Sequence, residues 1–318
     1  MNGMRRGTGV SKAVRNNFDA LRLTGALLVL VSHQFALSGR AEPMVVGDHS
    51  FGNLGVLIFF SISGYLVTSS WLKDPHVFRF CTRRTLRMLP ALCVSIPLTV
   101  AVIAALGLTG FPDNPRHRTN GSLWTIKYEV CCYALLLLAG VATRRPSLVL
   151  AMGILCYFVL SGAQGGESFL ADFGLFFAAG SLLRAYPLLR QALPGLVFLL
   201  VGCVLIRLDQ TTLGLAFIVP PLTMAIGLRA WAGMRDVSRF GDLSYGIYIY
   251  AWPAQQIGVA LLGRRTPYLH LLSITLAATF ALAAASWHLV EKKALRLKPD
   301  RRPGRSAARG AEDGTDAS

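Results

Sequence analysis

Ten apolar runs, broken by polar or basic loops, dominate this chain. They fall at roughly residues 18–38, 52–71, 86–107, 122–142, 147–162, 168–183, 193–206, 211–228, 243–262 and 268–290. About 20 apolar residues cross a bilayer as a helix, because a helix satisfies its own backbone hydrogen bonds where no water can. The pattern predicts an all-α polytopic membrane protein with about ten transmembrane helices. Composition agrees: 53% of the 318 residues are hydrophobic and 15% charged, well short of the charged share of a soluble domain. Several middle runs are short for a span. Pro90 and Pro97 in the third run, and Pro220 with Pro221 in the eighth, predict kinks.

The net charge of +16 would suggest nucleic acid as the partner of a soluble chain. Here membrane topology accounts for it, and no nucleic-acid partner is expected. With the N-terminus in the cytoplasm, 24 Lys and Arg residues fall in inner segments against 6 in outer loops. Both termini are then cytoplasmic, which requires an even number of spans. The expected organisation is a basic N-terminal segment (1–17), a membrane domain (18–292) and a basic, disordered tail (293–318) near anionic lipid. No cleavable signal peptide is expected, and the location is the cell (inner or plasma) membrane. The six cysteines lie in or beside apolar runs without metal-ligand spacing, so neither a metal site nor a disulfide framework is expected.

Ionisable groups at membrane depth are costly and are usually kept for function. The first run carries Asp19, Arg22 and His33. Arg22 and His33 lie eleven residues apart, share a helix face, and stand roughly 16 Å apart along the axis. Glu129, about seven residues into the fourth run, is expected at a depth similar to that of His33. A carboxylate beside an imidazole would orient it as a general base. Lys127 is expected to snorkel toward the outer surface. Arg79, Arg83, Arg84 and Arg87 form an inner basic cluster, read either as phosphate-binding forks or as topology-setting charge. Ser61, Ser63 and Gly64 either let helices approach closely or leave room, beside Tyr65, for a thin ligand chain. In the ninth run Tyr248, Trp252, Gln255 and Gln256 are candidates for an acceptor cleft.

Taken in order, FDALRLTGALLVLVSH, LGVLIFFSISGYLVTSSW, RRTLRMLPAL, GSLWTIKYEV, SYGIYIYAWPAQQ and WHLVEKKALRL resemble the blocks of the membrane-bound acyltransferase 3 family. Members acylate sugars of cell-surface and secreted glycans. The resemblance implies an O-acyltransferase, with an acetyl group expected. Acyl-CoA, here acetyl-CoA, would be a donor substrate rather than a bound cofactor, entering from the cytoplasm. It implies a catalytic role for His33 with Glu129 as partner. Donor contacts are implied at Arg83 and Arg87, with Arg22 beside them. Arg84, Gly64 and Tyr65 complete the donor-side candidates; Trp124, Tyr248, Trp252 and Gln255 are those on the acceptor side. Ser63, Tyr65 and Trp124 stay open as oxyanion donors.

Two departures stand out. Ala251 occupies a position where many members carry histidine, and a short basic tail follows the last helix, so a two-module relay is not expected. Expected partners are membrane lipid and a carbohydrate or glycolipid acceptor, whether exopolysaccharide, lipopolysaccharide O-antigen, lipid-linked oligosaccharide or small glycosylated metabolite. A glycan or lipid-linked intermediate transporter or flippase is the alternative, since such proteins also carry intramembrane polar groups and broken helices.

Overall fold

The computed structural model describes residues 17–105, 120–163, 168–229 and 242–299. Residues 1–16 of the basic N-terminal segment and 300–318 of the tail lie outside the described residues, as do Arg116, Arg118, Arg235 and Arg239; the expected disordered tail does not begin at 293, because helix continues through Lys292–Leu295. Among the described residues there are ten main helices: α1 (Phe18–Leu37), α2 (Phe51–Lys73), α3 (Val77–Ala105), α4 (Ile126–Ala142), α5 (Pro146–Ala163), α6 (Phe169–Ala185), α7 (Ala192–Arg207), α8 (Thr211–Gly227), α9 (Ser244–Leu262) and α10 (Tyr268–Ser286). Six stretches are long and apolar enough to cross a membrane: α1, α2, α3, 123–142, α5, and 268–295. α7 and α8 are shorter apolar helices. Helical assignment continues through Pro90, Pro97, Pro220 and Pro221. α3 begins at Val77, nine residues before its apolar run, so the arginine cluster is itself helical.

α2 is the centre of the bundle, with α6 on one side and α1 on another. Its small residues make this possible. A β-carbon at Gly64 would lie 2.0 Å from the Phe177 carbonyl oxygen, and one at Gly180 would lie 2.1 Å from that of Ser61. On the other side, Gly55 would meet the Gly25 carbonyl oxygen at 2.4 Å. Backbone thus packs on backbone, which in lipid supplies the dispersion contact that the hydrophobic effect cannot. A buried hydroxyl chain adds direction: Thr68 donates to Ser181 at 2.7 Å and Ser181 to Ser147 at 2.8 Å, tying α2, α6 and α5. α9 packs on α1 and α10. Large apolar side chains on α3, α4, α5 and α7 face outward, as a lipid-solvated surface requires.

Between α1 and α2 the chain forms a small antiparallel hairpin, β1 (Met44–Val46) with β2 (His49–Ser50). Gly47 turns it with φ +51, and a β-carbon there would meet the Thr211 side chain at 3.1 Å. The hairpin therefore reaches from the start of α2 to the start of α8. Ser50 caps α2, its hydroxyl accepting from the Asn53 amide at 3.2 Å.

Candidate active site

Two adjoining cavities run through the bundle beside α2. The first, of 370 Å³, is lined by His33, Ser32, Glu42, Asp48, Asn53, Trp124, Thr125, Tyr248 and Trp252, among others. The second, of 70 Å³, holds Arg22, Arg87, Glu129, Ser244 and Tyr245. Val56, Thr125 and Tyr248 line both. The Thr125 and Tyr248 hydroxyls are hydrogen-bonded at 2.5 Å, so the shared wall is closed by one polar pair.

At the histidine end, the His33 ring meets the Trp252 ring edge-on, with centroids 4.7 Å apart. Nδ1 is enclosed and has no hydrogen-bond partner, which leaves Nε2 as the nitrogen open to the cavity. An imidazole with a free nitrogen in a cavity is equipped to take a proton from a bound hydroxyl. Beside it Ser32 donates a short hydrogen bond to Glu42.

Glu129 is not the partner of His33. It accepts from the Ser63 hydroxyl at 2.7 Å and from the Tyr133 hydroxyl. Nor are the two residues at one depth. Ser32, next to His33, packs on Gly52, whose β-carbon position is 2.8 Å from that of Ser32. Ser63, which holds Glu129, lies eleven residues further along α2, roughly 16 Å along its axis. The reason is the stretch before α4. Asn120 donates from Nδ2 to the Ile249 carbonyl at 2.8 Å, and Gly121 lies flat against the Trp252 ring. A 3-10 turn (Leu123–Thr125) follows, so α4 starts already level with Tyr248. Non-helical backbone is tolerated at membrane depth where it lines a cavity.

At the arginine end, Arg22 and Arg87 converge on Asp242, Arg22 at 3.6 Å. Ser244 donates to the same carboxylate at 2.7 Å. Burial alone would raise the Asp242 carboxyl; the Arg87 and Arg22 guanidinium groups hold it well below the usual carboxylate range. Arg83 lies elsewhere. It pairs with Asp74 at the turn between α2 and α3, where Arg79 also binds through two hydrogen bonds, of 2.9 and 2.5 Å. Arg84 lies over the Phe80 and Tyr133 rings, 5.2 and 5.8 Å from their centroids.

Several expected contributors have structural roles instead. The Phe177 backbone fills the space at Gly64, so no ligand chain passes there. The Tyr65 hydroxyl accepts from Arg190 at 2.9 Å. Gln255 is fully buried and donates to the Leu30 carbonyl at 2.7 Å, tying α9 to α1 rather than lining a cleft. Lys127 sits over the Tyr128 ring, 4.8 Å from its centroid. Ala251 is buried against α1, so no side chain substitutes there for the histidine of other members. Asp242, Glu42 and Thr125 were not singled out by the sequence. Asp242 carries one signal: a lone carboxylate just before the SYG of α9, at the end of the bundle where the arginines collect.

A polytopic helical protein with histidine and arginine poles joined by cavities is the class defined by fold and site. Residues 15–288 match the model of an acyltransferase domain, and the chain belongs to the acyltransferase 3 family. It is therefore an acyltransferase of membrane type, which removes the transporter alternative. It is similar to an O-acetyl transferase of Shigella phage Sf6, with 29% identity over 337 aligned positions covering 88% of this chain and 96% of the relative. It is also similar to nodulation protein 10 of Rhizobium leguminosarum bv. viciae, with 28% identity over 357 positions covering 91% and 95%. No solved structure matches it.

Proposed function

We propose that this chain transfers an acetyl group from acetyl-CoA to a hydroxyl of a cell-surface or secreted carbohydrate, across the cell membrane, with both termini cytoplasmic. The observation that carries the reading is the pair of cavities meeting at Thr125 and Tyr248, one holding His33 and the other Arg22 and Arg87. The roughly 16 Å between Arg22 and His33 suits the arm of a coenzyme A thioester.

In this reading the donor enters at the arginine end. Arg22 and Arg87, preset by Asp242, attract its phosphates. Glu129 accepts from an amide N–H of the arm as it passes. The thioester carbonyl stops at the junction, where the Tyr248 hydroxyl donates to the developing oxyanion. With Thr125 as the donor in their shared hydrogen bond, the Tyr248 proton is available; of the other candidates, Ser63 already donates to Glu129, Tyr65 lines neither cavity, and Trp124 in the histidine cavity stays open as a second donor. His33 Nε2 takes the proton of the acceptor hydroxyl, whose oxygen attacks the carbonyl carbon. The C–S bond breaks, and the imidazolium returns the proton to the leaving thiolate.

The test is mass spectrometry of surface and secreted glycans from cells carrying the wild type, His33→Gln, or no copy. One acetyl mass should appear with the wild type and be reduced about a hundred-fold or more in His33→Gln at equal protein level. Equal acetylation in both would remove His33 from the chemistry. An acetyl mass that does not depend on the chain would remove the carbohydrate acceptor.

A further inference from the structure

A third cavity, of 630 Å³, adjoins the reaction cavity at the histidine end of the bundle. The two share Asp48, Asn53, Phe169 and Phe173 as walls. Beyond that shared wall, the third cavity reaches past the hairpin to Asp209, Thr211 and Thr212 at the start of α8. The mechanism above uses none of it.

Its chemistry is specific. Asp48, Asp172 and Asp209 line it, and no Lys or Arg does among the described residues. A phosphate or a second coenzyme A would be repelled there. Carboxylates accept hydrogen bonds from neutral hydroxyls, and those charge-assisted bonds are the stronger kind. Phe169, 40% exposed and packed on the buried Phe173 ring, supplies an apolar aromatic surface. Hydroxyl acceptors beside aromatic faces are complementary to a sugar ring, which is polar at its rim and apolar on its faces.

The wall between the two cavities is held in place. Asn53 Oδ1 is 2.8 Å from His49 Nδ1, and His49 Nε2 is 3.3 Å from the Thr212 hydroxyl. A Nδ1–H tautomer satisfies both contacts, with Nδ1–H donating to Asn53 and Thr212 donating to Nε2. The Asn53 side chain, which faces both cavities, is thereby fixed from behind by the hairpin. Asp209 has φ +58 and is the only non-glycine residue with positive φ among those described. Asp tolerates that conformation better than most residues.

We infer that the acceptor is a glycan of two or more sugars. The sugar to be acetylated sits at His33, and its neighbour occupies the carboxylate-lined cavity behind the hairpin. This rests on the acetyl-transfer reading and narrows it by excluding a lone monosaccharide as the preferred substrate. The test uses the producing cell's own surface glycan, deacetylated with mild base and cut by partial acid hydrolysis into size-graded fragments. Purified enzyme in detergent is given acetyl-CoA and each fraction. For the wild type, kcat/KM should rise about ten-fold or more from monosaccharide to tetrasaccharide, one well-placed charged hydrogen bond being sufficient. Asp209→Asn keeps shape and backbone but loses charge; Ser161→Phe fills the cavity from α5. In both, the tetrasaccharide-to-monosaccharide ratio should fall toward one, a ratio independent of how much variant folds. A flat length dependence in the wild type, or an unchanged ratio in both variants, overturns the inference. Acetylation of no fraction at all by the wild type instead removes the carbohydrate reading on which it rests.

Discussion

Gly64→Ala tests how tightly α2 is held. The added β-carbon would lie 2.0 Å from the Phe177 carbonyl oxygen, where ordinary contact begins at 3.4 Å. The obstacle is backbone, so no side-chain rotation relieves the missing 1.4 Å. α2 and α6 have to separate locally by about that amount, and a gap of about 0.5–1 Å already forfeits a quarter to a half of each contact's attraction. The loss spreads, because Gly180 makes the reciprocal contact with Ser61 one helical turn away. Overpacking of a core costs about 1–3 kcal/mol. A backbone obstacle shared by two contacts belongs at the upper end, about 3 kcal/mol, and should lower the melting temperature by roughly 5 °C or more. Gly153→Ala is the control: nothing lies within 4 Å of that position in α5, and alanine favours helix there by about 0.5–1 kcal/mol. Melting in detergent, followed by tryptophan fluorescence, should place Gly64→Ala well below the wild type and Gly153→Ala at or above it. If Gly64→Ala melts with the wild type, the close approach of α2 and α6 is wrong.

Three further outcomes follow from the site. Tyr248→Phe should lower kcat about a hundred-fold with donor and acceptor KM little changed, read in steady-state acetyl transfer; a KM effect alone would assign the hydroxyl to binding. Asp242→Asn frees Arg22 and Arg87 from their shared carboxylate and should raise the acetyl-CoA KM about ten-fold while leaving acceptor KM unchanged. Asp74 is held well below the ordinary carboxylate value of 3.8, first by its hydrogen bonds from Arg79 and Arg83. A depressed folded-state value means its stabilisation is fully present above the unfolded-state value of about 3.8 and is lost as pH falls from there through the folded-state one. The melting-temperature gap between wild type and Asp74→Asn should therefore be constant near neutrality and close below about pH 4. A gap independent of pH would show that charge is not what Asp74 contributes.

The helices were legible because each apolar run records a stretch of lipid or core contact, and α1, α5 and α10 begin within a residue of their runs. α3 was not fully legible. Its first turns are basic, and hydropathy ends where arginines begin although the backbone remains helical. Within the site, placement that follows from position along one helix was readable: Arg22 and His33 stand at opposite poles of α1, each in its own cavity. Glu129 was misplaced because its depth is set by a loop drawn into the bundle at Asn120 and Ile249, a contact 129 residues apart in sequence. Gln255 shows the same limit. A buried amide reads equally well as a cleft or a tie between helices, and only the Leu30 carbonyl decides.

Backbone-on-backbone packing along α2 also says where this protein is able to breathe. α1, α2 and α6 are pressed together too closely to part by side-chain rearrangement. The opposite wall, where residues 120–125 before α4 meet α9, is held near the junction by the Asn120 amide and the Thr125–Tyr248 hydroxyls, contacts that exchange with a guest molecule far more easily. In the proposed reaction, passage of the thioester would fall to the seam between residues 120–125 and α9, with the glycine-lined side serving as the fixed jaw.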